Sequence, residues 1–143
     1  LAEKLSKMLE GLPGLQLPYI PDGLSHVYYV YPMILDHNII GVDRDKICDA
    51  LEAEGVQIMR SYQNIHLLPI YQNKIAYGSS GFPWNSPYCK RNVSYKKGIC
   101  PVAENLHDST FIGVGMCVYE LLETDIELIA EAFKKVWRFR EVL

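Results

Sequence analysis

The sequence predicts an α+β fold, with a small sheet of about three short strands covered by helices. Two observations predict this class. Apolar residues recur at helical spacing near both ends of the chain, and short aromatic and β-branched runs lie between those ends. The 143 residues, of which 49% are hydrophobic, are enough for one domain with its own core. We therefore expect residues 1–143 to form a single domain.

The first predicted helix covers residues 1–12, where five apolar side chains follow the helical spacing: Leu1, Leu5, Met8, Leu9 and Leu12. Gly11 suits the position just after the end of this helix, and Pro13 cannot continue it. The prolines and the Asp-Gly pair of residues 18–23 then predict an extended connector.

Residues 26–35 predict the first strand, because they are mostly aromatic and β-branched. Pro32 lacks a backbone donor, so we expect this strand at the edge of the sheet or with a bulge at that residue. Asp43 is the predicted N-cap of the next helix, from Arg44 to Glu54, and Gly55 ends it. The inner face of this helix is predicted to carry Ile47, Ala50, Leu51 and Ala53.

Short elements are predicted on either side of one long loop. Residues 56–59 predict a brief strand, and residues 72–99 predict an irregular loop insertion rich in Gly and Pro. Such long connections are usually functional or mobile. Its aromatic residues predict that the loop packs on another surface: Phe82, Trp84, Tyr88 and Tyr95. Pro101 suits the first turn of a helix that runs to about Asp108, and residues 110–114 predict a further strand.

The terminal helix has the clearest pattern in the chain. Residues 124–127 predict a capping box, in which the Thr124 hydroxyl accepts from a backbone amide and the Glu127 carboxylate reaches back. Six residues form the predicted buried face: Ile126, Ile129, Ala130, Phe133, Val136 and Trp137.

Charge and cysteine spacing exclude several classes of function. The net charge of −3 and the lack of a clustered basic face argue against a nucleic-acid partner. The four cysteines form no metal-ligand pattern, so we predict no metal site. Cys48 and Cys117 are expected to be small buried hydrophobes, and reduced thiols predict a cytoplasmic location. No apolar run is long enough for a membrane span, so no membrane partner is predicted.

Two segments carry a resemblance to a known family. Residues 61–69 read Ser-Tyr-Gln-Asn-Ile-His-Leu-Leu-Pro, and residues 100–106 read Cys-Pro-Val-Ala-Glu-Asn-Leu. In this order, with the strands and helices around them, they resemble the C-terminal small domain of the DegT/StrS family, the sugar aminotransferases that depend on pyridoxal phosphate (PLP). The usual family pattern at the first segment is His-Tyr-x-Pro-Leu-His-Leu-Gln-Pro. This chain keeps Tyr62, His66 and Pro69, whereas Ser61 and Leu68 replace the first His and the Gln.

The resemblance implies a fold-type-I PLP enzyme whose large domain precedes this chain. Residues 1–12 would end the helix between the two domains. PLP would be held by the missing large domain, because none of the nine Lys stands in the family's Lys context. The chain would then contain no catalytic and no cofactor-binding residue, and alone it would be inactive. The full enzyme, expected to be a homodimer, would transfer an amino group from Glu or Gln to a keto-sugar, a nucleotide-sugar or a cyclitol, commonly in polysaccharide biosynthesis.

The resemblance also implies that the segment around His66 faces the sugar substrate. His66 and Tyr62 are the predicted contacts to a hydroxyl or phosphate, and Arg60 can pair with an anionic group. The structural alternatives are a loop brace for His66, a half-buried ring for Tyr62 and a surface cation for Arg60. In the broader aminotransferase fold that the chain resembles, an Arg on the late strand of the small domain often holds the substrate carboxylate. This chain has no Arg between Thr110 and Leu122, so Arg91 in the long loop is a candidate for the carboxylate of the amino donor.

Two other functions stay open at this point. A PLP-dependent dehydratase of the same family differs by lacking the Schiff-base Lys, which lies outside this chain. A free-standing domain that binds a small molecule or a protein would use the aromatic loop, residues 82–95, as its surface. The length of the parent gene would separate the second alternative from the enzyme.

Overall fold

A computed structural model describes residues 1–143 as six α-helices and a four-stranded sheet. The helices are α1 Ala2–Leu9, α2 His37–Ile40, α3 Arg44–Ala53, α4 Pro69–Gln72, α5 Pro101–Asn105 and α6 Glu123–Phe139. The strands are β1 Leu15–Gln16, β2 Tyr31–Leu35, β3 Ile58–Met59 and β4 Phe111–Val114. The α+β class is confirmed, with one strand more than expected, because β1 forms between Gly14 and the predicted connector, where no element was predicted.

The sheet has the order β1-β2-β4-β3, and every neighbouring pair is antiparallel. Strand β2 begins only at Tyr31, since Tyr28 has a positive φ of 48° that breaks the predicted extended run. Strand β2 is an inner strand of the sheet, but Pro32 itself lies at an edge, as predicted. Strand β1 pairs with Ile34 and Leu35 alone, so at Pro32 the sheet continues on one side, through Gly113 of β4.

The core lies between one face of the sheet and three helices. Tyr31 and Met33 of β2 stand opposite Val114 and Ile112 of β4, and all four side chains are buried. Helix α6 packs against α1 and α3 over this face. On α3 the buried residues are Ile47, Cys48 and Leu51. Cys48 is therefore a buried hydrophobe as predicted, whereas the predicted inner residue Ala53 is exposed. Cys117 is also exposed, because it lies in the turn beyond β4.

The ends of the helices show which local signals were correct. Glu10 and Glu54 are C-caps, and Gly11 and Gly55 follow them with positive φ values of 83° and 89°, as predicted. Asp43 is the N-cap of α3, although its side chain makes no capping hydrogen bond.

The predicted capping box of α6 is wrong. The N-cap is Leu122, two residues before Thr124, so the helix begins at Glu123 and Asp125 accepts from the Leu122 N–H at 2.7 Å. Glu127 instead accepts from Lys4 of α1 at 2.7 Å.

Residues 73–100 contain no helix and no paired strand beyond an isolated bridge between Tyr77 and Phe82. The helix predicted from Pro101 to about Asp108 ends as α-helix at Asn105 and continues as a π-helical turn, Leu106–Thr110. This turn takes Thr110 out of the predicted strand, so β4 begins at Phe111. No helix is both long enough and apolar enough to span a bilayer.

Candidate functional site

Tyr62 lies on the face of the sheet opposite the helices. Ile112 points into the core, and alternation along β4 turns its neighbour Phe111 to the other face. The Tyr62 ring meets the Phe111 ring edge-on, with centroids 6.4 Å apart, and it meets Tyr29 in the same way at 6.5 Å. Its hydroxyl contacts the Tyr29 hydroxyl, and the side chain is 50% exposed. Tyr62 is thus a half-buried ring with a free edge toward solvent.

Gly113 provides the space for this aromatic group. A Cβ at Gly113 would lie 3.0 Å from the Phe111 ring and 3.0 Å from a methyl group of Val30. These distances are shorter than ordinary van der Waals contacts, so a larger residue would displace the ring on which Tyr62 packs. A small residue in the middle of β4 therefore sets the position of Tyr62.

His66 is buried in a short 3₁₀ turn, Ile65–Leu67, and is 9% exposed. Its Nε2 lies 2.9 Å from Oε1 of Glu104, in α5. A carboxylate only accepts hydrogen bonds, so Nε2 carries the proton, and in the neutral ring Nδ1 is left as an acceptor. The pair connects the two segments that carried the family resemblance.

Glu104 joins three parts of the chain. Its carboxylate accepts from His66, from the Gly98 N–H at 2.7 Å and from the Cys100 N–H at 3.1 Å, and the residue is only 6% exposed. Burial raises the pKa of this carboxyl, but the hydrogen bonds from Cys100, Gly98 and His66 outweigh it and hold the pKa below its usual value. Glu104 therefore fixes one end of the 72–99 loop to the segment that contains His66.

The other end of the loop is fixed to the same segment. Gln72 donates through Nε2 to the His66 carbonyl at 2.7 Å and to the Tyr95 carbonyl at 2.6 Å. His107, in the π-helical turn, bonds to the Tyr62 carbonyl through Nδ1 at 2.7 Å. Both predicted substrate residues are thus held by side chains from the loop or from the 100–110 region.

Arg60 is directed away from this site, toward α3. Its guanidinium contacts Glu52 at 2.6 Å, Asp49 at 2.7 Å and the Asp45 carbonyl at 3.3 Å. The hydrogen bonds to Glu52 and then to Asp49 raise the pKa of Arg60. Tyr62 and His66 belong to the same segment, whereas Arg60 points toward α3 and already has two carboxylate partners there.

Sequence reasoning missed two buried polar residues. Glu104 was quoted only as part of a motif, although a Glu within the first turns of a helix that begins with Pro is a recognisable capping signal. Asn64 is 6% exposed, and its Nδ2 has no hydrogen-bond partner in the chain. No local pattern marks Asn64, because its burial depends on the packing of the whole 61–69 segment.

The residues of this chain do not fit PLP. The cofactor needs a Lys that can be neutral when it reacts, which a pocket achieves by lowering the pKa of the amine. None of the nine Lys is buried. Hydrogen bonds to Glu127 and Glu123 raise the pKa of Lys4, and one to Asp108 raises that of Lys97. No group of three or more His, Cys, Asp or Glu side chains is placed to hold a metal ion.

The charge of Glu104 gives a pH-dependent prediction. Because its pKa is depressed in the folded state, its stabilising effect is complete above the unfolded pKa of 4.5 and is lost as the pH falls through the folded value. We expect Glu104→Gln to lower the melting temperature at neutral pH, and the difference from the parent chain to shrink below about pH 4. Thermal melts from about pH 3 to 7 measure this.

The matched control is Glu120→Gln, because Glu120 is exposed and makes no hydrogen bond or salt bridge. It removes the same charge without disturbing the buried contacts, so its melting temperature should follow that of the parent chain throughout. A Glu104→Gln effect equal to the control, or one that does not change with pH, would contradict the assigned role of Glu104.

A small antiparallel sheet carries helices on one face and Tyr62 on the other, and His66 of the first motif segment pairs with Glu104 of the second. The chain belongs to the DegT/DnrJ/EryC1/StrS aminotransferase family, whose profile matches residues 1–115. The match includes Tyr62, His66 and Glu104, so all the contacts described above except those of α6 fall within it.

Two curated relatives and one solved structure are similar to this chain. The spore coat polysaccharide biosynthesis protein SpsC of Bacillus subtilis is 27% identical over 95 residues, which are 66% of this chain and 24% of SpsC. The uncharacterized protein MJ1066 of Methanocaldococcus jannaschii is 22% identical over 122 residues, 85% of this chain and 30% of MJ1066.

The crystal structure of DesV from S. venezuelae, in complex with a ketimine intermediate, matches 95% of this chain with a TM-score of 0.64 and 17% identity. This match shows a shared fold. The chain covers 30% of the DesV chain and less than a third of either curated relative, so each of these proteins is at least three times as long as the region it shares.

Proposed function

We propose that this chain supplies the C-terminal small domain of a PLP-dependent enzyme that transfers an amino group from Glu or Gln to a keto-sugar or cyclitol. The observation that carries the proposal is the family match over residues 1–115, which contains both motif segments. In this proposal the preceding large domain holds PLP, consistent with the finding that no Lys of the chain is buried. The full enzyme acts as a homodimer.

Within the proposal, the 61–69 segment is the part of this domain that meets the sugar. Three structural features support it. Tyr62 is half exposed, its ring packs edge-on against Phe111, and His66 of the same segment is held by Glu104. Sites that bind small molecules need such fixed polar groups beside partly open aromatic surface. Arg60 is a weaker candidate, because a substrate anion would have to compete with Glu52 and Asp49.

The test is an amino-transfer assay on the full-length protein that contains this chain, loaded with PLP. We expect it to convert a keto-sugar to the amino-sugar with glutamate as donor, and we expect the 143-residue chain alone to be inactive. Loss of a sugar hydroxyl without gain of nitrogen would instead assign the full-length protein to the dehydratases. No reaction of either kind would leave the binding-domain alternative.

A further inference from the structure

An open cleft on the 72–99 loop, which we call the aromatic cleft, has mainly aromatic and apolar walls. Its volume is about 700 Å³, and its lining includes Phe82, Trp84, Tyr88, Val93 and Tyr95. Trp84 donates through Nε1 to the Tyr95 hydroxyl at 3.0 Å, and its ring meets that of Tyr71 edge-on at 6.1 Å. These contacts fix the wall before anything binds. Grooves lined by aromatic side chains bind proline-rich segments in the polyproline II conformation.

The rim of the aromatic cleft is positively charged. Lys90 and Arg91 line the cleft, and no Asp or Glu does. Both side chains are exposed and neither forms a salt bridge, whereas Arg44 and Arg60 pair with carboxylates of the chain. A ligand that carries a carboxylate beside an apolar part therefore complements the cleft in both charge and polarity.

One segment of the chain has this chemistry. Residues 18–22 read Pro-Tyr-Ile-Pro-Asp, and no other two prolines in the sequence are spaced three residues apart. A proline fixes its own φ near about −65° and moves the preceding residue out of the helical region, so residues 17–21 favour polyproline II. That helix has about three residues per turn and rises about 3.1 Å per residue, which places both prolines on the same edge, about 9 Å apart. In the structure residues 17–21 lie in no helix, strand or turn.

This segment is exposed and is held at both ends. Leu17 packs against the core on one side, and on the other side the Leu24 N–H donates to the Pro21 carbonyl at 3.1 Å. Between them Tyr19 is 83% exposed. Asp22 is exposed too, and it forms no salt bridge. A segment fixed at both ends loses little conformational freedom when it binds, so its binding costs less entropy.

We propose that residues 18–22 of one copy of this chain bind in the aromatic cleft of a second copy. The two prolines pack on the ring of Trp84, and Asp22 pairs with the cations of the rim. No residue of the segment lines the cleft of its own chain, so both surfaces are free to meet those of another copy. Because each copy carries both surfaces, the contact is made twice and closes a two-fold pair. This pair does not depend on the proposed function, and it is additional to the homodimer proposed for the full enzyme.

Sedimentation equilibrium of the 143-residue chain tests this contact. We expect the mass to rise from that of one chain to that of two as the concentration increases, and we expect added salt to weaken the association. Asp22→Lys should weaken it about tenfold at each of the two contacts, and so about a hundredfold overall, because it replaces opposite charges with like charges. The control Glu120→Lys makes the same change of charge at an exposed residue outside both surfaces, and it should associate like the parent chain.

A charge swap separates a direct contact from an indirect effect. Lys90→Glu/Arg91→Glu should also weaken the association, whereas its mixture with Asp22→Lys should associate, because each cleft then meets a segment of opposite charge. All three substituted side chains are exposed, so each variant should melt like the parent chain.

A parent chain that stays monomeric would overturn the proposal and leave the aromatic cleft to a partner other than this chain. So would an association that Asp22→Lys leaves unchanged, or a mixture of the two folded variants that stays monomeric. None of these outcomes affects the amino-transfer assay, because the contact involves neither PLP nor substrate.

Discussion

Trp137→Ala is expected to lower the free energy of unfolding by about 3–5 kcal/mol, the usual cost of truncating a buried aromatic residue. Trp137 is 2% exposed and stacks on Phe133 with centroids 5.8 Å apart. Its Nε1 also donates to the Pro13 carbonyl at 2.9 Å, which ties α6 to the end of the N-terminal segment. Single domains are stable by about 5–15 kcal/mol, so this one change removes a large share of the total.

Urea unfolding of the 143-residue chain measures this effect. The matched control is Leu128→Ala, because Leu128 is in the same helix but is 69% exposed, and its cost should stay within about 0.5 kcal/mol. Trp137→Phe keeps the ring volume partly filled and loses the bond to Pro13, so it should fall between the two. If Trp137→Ala unfolded at the same urea concentration as the parent chain, the assigned inner face of α6 would be wrong.

His66→Ala is expected to reduce kcat/KM for the sugar about ten- to hundredfold in the full-length enzyme, with PLP attachment unchanged. Hydrogen bonds to charged groups contribute about 1.5–3 kcal/mol, and each 1.4 kcal/mol is a factor of ten in rate. In the proposal His66 makes such a bond to a charged group of the substrate, while its bond to Glu104 holds the segment that carries Tyr62. The proposed position of PLP in the large domain predicts that only the sugar step responds.

The measurement is steady-state kinetics with varied sugar, alongside the absorbance of bound PLP. Glu104→Gln should reproduce most of the loss if His66 acts through its position, because it removes the same charged partner without touching the His66 ring. A large loss with His66→Ala and none with Glu104→Gln would indicate direct contact between His66 and the sugar. Unchanged sugar kinetics in both variants would remove His66 from the site.

The sequence predicted the elements whose cause is local. The stripe of α6 required only helical spacing, and Gly11 and Gly55 ended their helices because a positive φ suits Gly. The capping box of α6 was not predicted correctly, although its pattern is also local. Asp125 caps the helix, whereas Glu127 contacts Lys4, which lies 123 residues away from it in sequence.

The contacts of Tyr62 and His66 could not be predicted from the sequence. The motif placed Tyr62 and His66 together, yet the burial of His66 follows from Glu104, 38 residues further on. Strand β1 could not be predicted either, since a strand of two residues is too short to show an alternating pattern. The ion pairs of Arg60 could not be predicted for the same reason, because its partners on α3 come close to it only after the chain folds.

The central claim is that this chain is the small domain of an enzyme whose PLP is held elsewhere in the protein. The most direct test is to reduce the PLP-loaded full-length protein with borohydride and to locate the trapped adduct by peptide mass spectrometry, with the 143-residue chain treated in parallel. The account predicts one stoichiometric adduct on a Lys outside these residues and none on the chain alone. A stoichiometric adduct on a single Lys of the chain, such as Lys74, would contradict it.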